Sequence, residues 1–179
     1  FFDLKHEYVQ MLLGELDTKF NLDRDDKRLM GVILGEPKKL LDEGKKVIVY
    51  KTEKANGENA QVSYNQKYDS WIVASKNVCI MLRNESDINL YREKKESRYQ
   101  FAILIAEAWF KILKEKVGEE KIPELKKELV GKNLIGEYVG HPMHQHLVEY
   151  KEITIFFYAL VELQGERSCL PVAVAENFI

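Results

Sequence analysis

The strongest constraint on the fold is one apolar stripe in the middle of the chain. Phe101, Leu104, Ile105, Ala108, Trp109, Ile112 and Leu113 recur at three- and four-residue spacing, which puts them on one face of an α-helix. The stripe predicts a helix from about Arg98 to Lys116, ended near Gly118. On either side of it the pattern changes to that of strands. Ala60-Gln61-Val62-Ser63-Tyr64 alternates in and out, and Trp71-Ile72-Val73-Ala74 is a short apolar run. Leu134-Ile135-Gly136-Glu137-Tyr138-Val139 and Ile153 to Val161 read the same way. A helix with so wide an apolar face must be covered. The expected class is therefore α+β: mainly antiparallel β-sheets with helices packed on them.

The remaining segments fill in around this frame. Leu4, Tyr8, Met11, Leu12, Leu16 and Phe20 form another helical stripe. Lys27 to Leu34 reads as a second short helix. Pro37 opens a third through Leu41, ended by Gly44. Residues of about 1–44 thus form a helical N-terminal part. Strands dominate from Val47 to about Met81. Arg83 to Ser97 is highly charged and reads as a loop or loose helix. Ile122 to Leu129 is a shorter helix starting at Pro123, and strands resume at Asn133, with Gly165 marking a hairpin turn. The 179 residues make a single domain, 1–179, long enough for a core.

Composition narrows the function classes. Hydrophobic residues are 45% and charged residues 31%, which is globular composition. A net charge of −2 argues against a uniformly basic surface, so any nucleic-acid contact needs a local patch. Cys79 and Cys169 lie in apolar surroundings and are expected to be buried free thiols. No Cys-x-x-Cys occurs, and no apolar run reaches the roughly 18 residues of a membrane span. Phe1-Phe2-Asp3-Leu4 is expected to be the edge of a longer chain rather than a signal peptide.

The segment richest in chemistry is Lys54-Ala55-Asn56-Gly57-Glu58-Asn59, between Val47-Ile48-Val49-Tyr50 and the alternating strand. Gly57 has no Cβ, so the backbone there can come close to another chain segment or a ligand. A lysine in that loop can attack phosphorus once its amine is neutral, which desolvation or nearby cations such as Lys51 and Lys76 would favour. Downstream, Glu137 is a lone carboxylate among apolar neighbours, costly unless paired. Phe156 and Tyr158 share one strand face, and Phe157 takes the other. Asn59 and Glu58 have opposite parity. His141, His144 and His146 cluster in an irregular loop at Pro142 whose spacing matches no familiar closed metal site, so it reads as a rim loop.

In this order and spacing, the segments resemble the RNA ligase branch of the covalent nucleotidyltransferase superfamily of ligases and capping enzymes, phage RNA ligases in particular. Lys54 to Gly57 resembles the nucleotidyl-lysine motif. Ser75-Lys76 is similar to the Ser-Lys of phage-type enzymes, Gly136-Glu137-Tyr138-Val139 to their Glu-Tyr-Val motif, and the aromatic strand to the motif after it. The resemblance covers about Val47 to Val161. Asn56 stands where the family usually has aspartate or histidine. Two later motifs, a Glu-Gly-apolar strand and a Lys-x-Lys strand, are absent. The chain is therefore expected to be an adenylation domain, ATP-grasp-like, incomplete at its C-terminus, with a further segment or domain beyond.

The resemblance implies Lys54 as the catalytic nucleophile. It implies nucleotide contacts from Glu53, Gly57, Asn59, Lys76, Glu137 and Tyr158. At Glu53 the backbone beside the residue would read adenine. The implied cofactors are ATP and Mg2+, with no metal ligand assigned among the side chains. The implied partner is RNA with 5′-phosphate and 3′-hydroxyl ends, in the cytoplasm or nucleus and away from membranes. AMP would pass from ATP to Lys54, then to the RNA 5′-phosphate, and leave as the strand is sealed. The alternatives are DNA ligation, GTP-dependent mRNA capping, or a non-catalytic relative that binds RNA or nucleotide.

Overall fold

A computed structural model describes residues 35, 37–46, 54–142, 148–165, 169–171, 174–175 and 178. The chain divides into two compact units, Phe1–Glu53 and Lys54–Ile179. In the first, residues 37–42 are helical, and the turn closes with the Gly44 amide donating to the Leu41 carbonyl at 2.9 Å. The helix expected through Leu41 is present, but Gly35 is already helical, so Pro37 does not open it. The helices expected over 4–20 and 27–34 and the strand expected at 47–50 lie outside the described residues.

The second unit contains one five-stranded antiparallel sheet. Its strands are β1 (Glu58–Asn65), β2 (Ser70–Ala74), β3 (Cys79–Leu82), β4 (Lys132–Val139) and β5 (Thr154–Glu162), in the order β3-β2-β1-β4-β5. Between β3 and β4 in sequence come α1 (Ile88–Arg92), α2 (Gln100–Ile112) and α3 (Ile122–Glu128). Pairing is in register from strand to strand: Val62 faces Val73 on one side and Leu134 on the other, and Leu134 faces Leu160. All four of these side chains are buried.

The apolar stripe does what its period requires. Ala102, Ile105, Ala106, Trp109 and Ile112 of α2 are buried, and α2 lies against β2, β3 and β5. Trp109 is the hinge of this packing. Its ring meets Trp71 of β2 edge-on at 5.2 Å and Phe157 of β5 at 6.0 Å, the tilted geometry that aromatic quadrupoles prefer. The helix continues as a π-turn over Leu113–Val117 and stops at Gly118, whose φ of +83° suits glycine. The charged segment after β3 is more ordered than its composition suggests: Ile88 is buried and anchors α1.

The aromatic strand solves a parity problem. Phe157 and Leu160 both face α2, although an odd spacing of three puts residues on opposite faces of a regular strand. The ladder steps from Ile135↔Ala159 to Gly136↔Phe157, leaving Tyr158 as an extra residue. This β-bulge lets Phe157 and Leu160 share the core while Phe156 and Tyr158 stay exposed.

Both cysteines correct the sequence-based expectation, since Cys79 and Cys169 are free but exposed. On the edge strand β3, Ile80 and Leu82 take the inward positions, so alternation turns Cys79 and Met81 outward. Cys169 lies in an isolated antiparallel bridge to Val161, after the reversal at Gly165. Among the described residues no helix is long and apolar enough to cross a membrane.

At the end of the sheet where β1 finishes, α3 is clipped to the β1–β2 turn. Lys126 Nζ and the Tyr64 hydroxyl both donate to Asp69 Oδ1 at 2.6 Å, and Lys126 lies over the Tyr64 ring at 5.2 Å. The hydrogen bond from Lys126, then that from Tyr64, holds the Asp69 carboxyl below its usual range. The bond to Asp69 in turn pushes the Tyr64 hydroxyl up to about 12.

Two outcomes follow from this packing. Trp109→Ala should cost about 3–5 kcal/mol in urea unfolding, while Met81→Ser on the outward face should stay within about 0.5 kcal/mol. Equal losses would show that α2 does not sit on the face assigned to it. A carboxyl with a depressed pKa contributes stability above its unfolded value near ~3.9 and loses it as pH falls through the lower folded value. Lys126→Ala should therefore lower stability at neutral pH and flatten the acid limb below about pH 4. An unchanged acid limb would remove the clip from the account.

Candidate functional site

The loop before β1 is pressed onto the end of β4. A Cβ on Gly57 would lie 2.2 Å from the Tyr138 carbonyl oxygen and 2.8 Å from Val139 Cγ1, so only glycine fits. One residue earlier, the Asn56 amide donates to the Tyr150 hydroxyl at 2.8 Å. The Tyr150 ring packs at 5.7 Å from Phe156 on β5. The loop carrying Lys54 is thus held from two sides: by close backbone approach to β4 and by a tyrosine from the β4–β5 connection. Lys54 itself is exposed, its Nζ reaching the Ala55 carbonyl oxygen at 3.5 Å.

From this loop the chain runs onto the sheet's outward face, the one opposite α2. Asn59 pairs directly with Glu137, and Glu137 pairs with Phe156. The bulged residue Tyr158 lies beside them. Burial first, and then the Glu137 carboxylate, raise the Tyr158 hydroxyl above its usual value, while a hydrogen bond from Asn59 offsets part of that rise. Asn59, Glu137 and Tyr158 therefore form one polar group on three adjacent strands, flanked by the exposed ring of Phe156. Glu58 is paired with Tyr138 and has the opposite parity, so it does not join them.

Lys76 is exposed in the turn between β2 and β3. Because Ala74 pairs with Gln61, that turn lies at the same end of the sheet as Asn59 and Gly57. His141 follows β4 at this end, its ring 6.3 Å from that of Tyr138. Glu53, Lys51, His144 and His146 lie outside the described residues. Among the described residues no group of three or more metal-ligating side chains gathers.

Three partners were hidden from sequence reasoning. Tyr150 sits in a stretch without periodic pattern, 94 positions from the amide it accepts from. Gln61 and Asn133 look like ordinary outward residues of alternating strands. Yet Asn133 Nδ2 donates to Gln61 Oε1 at 3.0 Å, and Gln61 Nε2 donates to Asn59 Oδ1 at 2.9 Å. No protein-family model, curated protein or solved structure matches the chain.

Tyr150→Phe keeps the ring against Phe156 and deletes the acceptor for Asn56. It should cost about 0.5–1.5 kcal/mol and raise the hydrogen-exchange rate of the Asn56 amide about fivefold or more, with distant amides unchanged. Unaltered exchange at Asn56 would mean that Tyr150 does not hold the loop.

Proposed function

We propose that the second unit is the adenylyl-transfer part of an ATP-dependent RNA ligase, with Lys54 as the nucleophile. The observation that carries this reading is the loop's attachment. Gly57 and the Asn56–Tyr150 bond hold Lys54 at the margin of the face that carries Asn59, Glu137, Phe156 and Tyr158. That face offers what a nucleoside monophosphate needs. Exposed rings can stack on a base, a carboxylate can accept from ribose hydroxyls, and an amide can donate to an oxygen. The motif resemblance of Lys54–Gly57, Ser75-Lys76 and Gly136–Val139 supports the same reading.

In the first step the neutral Lys54 amine attacks the α-phosphorus of ATP. A P–N bond forms, the bond to pyrophosphate breaks, and the amine proton leaves to solvent or to the departing pyrophosphate. Glu137 and Tyr158 would hold the nucleoside, and Lys76 would offer positive charge to the phosphates. AMP then passes to an RNA 5′-phosphate, and a 3′-hydroxyl displaces it as the strand is sealed. Magnesium, bound with ATP, would neutralise and orient the triphosphate.

Incubation with α-labelled ATP and magnesium, followed by a denaturing gel, tests this reading. The protein should carry covalent label. Lys54→Ala and Lys54→Arg should abolish it, because a guanidinium keeps its charge and does not attack. Glu137→Ala should reduce labelling by about 10–100-fold, the worth of a charge-assisted bond of ~1.5–3 kcal/mol. Label that persists in Lys54→Ala would remove Lys54 from the role. An unlabelled parent that still binds AMP would favour the non-catalytic nucleotide-binding alternative.

A further inference from the structure

The outward face contains a directed chain of side-chain amides that the proposed chemistry does not use. Asn133 on β4 donates to Gln61 on β1, and Gln61 donates to Asn59 on the same strand. Each amide has one oxygen and one NH2 group, so each bond dictates the orientation of the next. Asn133 occupies Gln61 Oε1, which turns Gln61 Nε2 toward Asn59. Gln61 in turn occupies Asn59 Oδ1, which leaves the Asn59 NH2 pointing the other way. Across β4 on the same face lies Tyr158, whose hydroxyl feels the Asn59 amide. An NH2 group has two hydrogens, and Asn59 is paired with Glu137, which is paired with Phe156, on this open face.

We infer that Gln61, itself set by Asn133, is a positioning residue that locks the Asn59 carboxamide with its donors toward Tyr158 and the ligand. The site then turns the Asn59 NH2, rather than its oxygen, toward the ligand. The ligand atom favoured there is an acceptor, such as a phosphate or sugar oxygen, over a donor group. A rotating asparagine would accept either. Aligned bonds of this kind also polarise one another, which strengthens the terminal donor. That the ligand is an adenine nucleotide rests on the adenylyl-transfer reading; the orientation of Asn59 does not.

The experiment uses the full chain and three variants. In the parent, the nuclear Overhauser effect between the Asn59 side-chain NH2 and the Tyr158 ring should be strong. Gln61→Glu presents only acceptors to Asn59, so the carboxamide should turn over and the contact should vanish. Asn133→Asp should do the same from further away, because Gln61 must reverse to donate to it. Gln61→Met, neutral and of similar length, should weaken the contact by freeing the rotor. AMP affinity, measured by calorimetry, should fall about tenfold or more in the two reversed variants and a few-fold in Gln61→Met. Thermal midpoints should hold, so that a structural role is told apart from a positioning one.

A contact missing in the parent, or retained in both reversed variants, overturns the lock. Reversal without loss of AMP affinity overturns its bearing on the ligand. A parent that neither binds AMP nor labels at Lys54 overturns the adenylyl-transfer reading instead, and the orientation of Asn59 is still decided by the contact to Tyr158.

Discussion

The packing of Trp109 between Trp71 and Phe157 decides which side of the sheet is the inside. A five-stranded antiparallel sheet has two faces, and nothing in the hydrogen-bond ladder distinguishes them. The aromatic contact does so by joining α2 to a strand on each side of β1. With Val62, Leu134 and Leu160 committed to that side, register commits Asn59, Gln61, Ile135 and Glu137 to the other. A one-residue slip of β4 would exchange its sets and bury the Glu137 carboxylate in the core, and a slip of β1 would bury the Asn59 and Gln61 amides. The polar group on the outward face is thus a consequence of the core, not an addition to it.

Local devices then bring chemistry to one end of this face. The β5 bulge frees Tyr158 from the core without giving up either Phe157 or Leu160. Gly57 lets the loop settle onto β4 where any side chain would collide, and Tyr150 fastens that loop to the aromatic strand. At the opposite end of the sheet the Asp69–Lys126–Tyr64 clip holds α3. That end is rigidified by charge and ring contacts, while the end with Lys54 is rigidified by backbone approach and one tyrosine. Such a division would leave Lys54 accessible for the nucleophilic role proposed for it.

The sequence was most informative where one period ran long enough. The stripe from Phe101 to Leu113 placed α2 and its end at Gly118, and the alternation around Val62 and Leu134 gave the strands. The shared face of Glu137 and Ile135 followed from parity alone. Short-range pattern failed where tertiary geometry intervened. Cys79 lies beside apolar residues in sequence, yet alternation on an edge strand exposes it. The bulge at Tyr158 breaks parity, and no residue type announces it. Tyr150 and the Asn133–Gln61–Asn59 chain depend on neighbours across strands or loops, which a single sequence does not reveal. The pairing of Asn59 with Glu137 depends on register in the same way, so the two residues were legible singly but not as one group.

The proposed function places a nucleotide on the outward face at the Lys54 end. Titration of the isotopically labelled protein with AMP, followed through its backbone amide resonances, tests it most directly. The account predicts shifts concentrated at Gly57 to Gln61, Ile135 to Val139 and Phe156 to Ala159, with α2 little changed. Shifts centred instead on the depression formed by Glu85, Asn89, Arg92 and Glu107, or no shifts at saturating AMP, would contradict it.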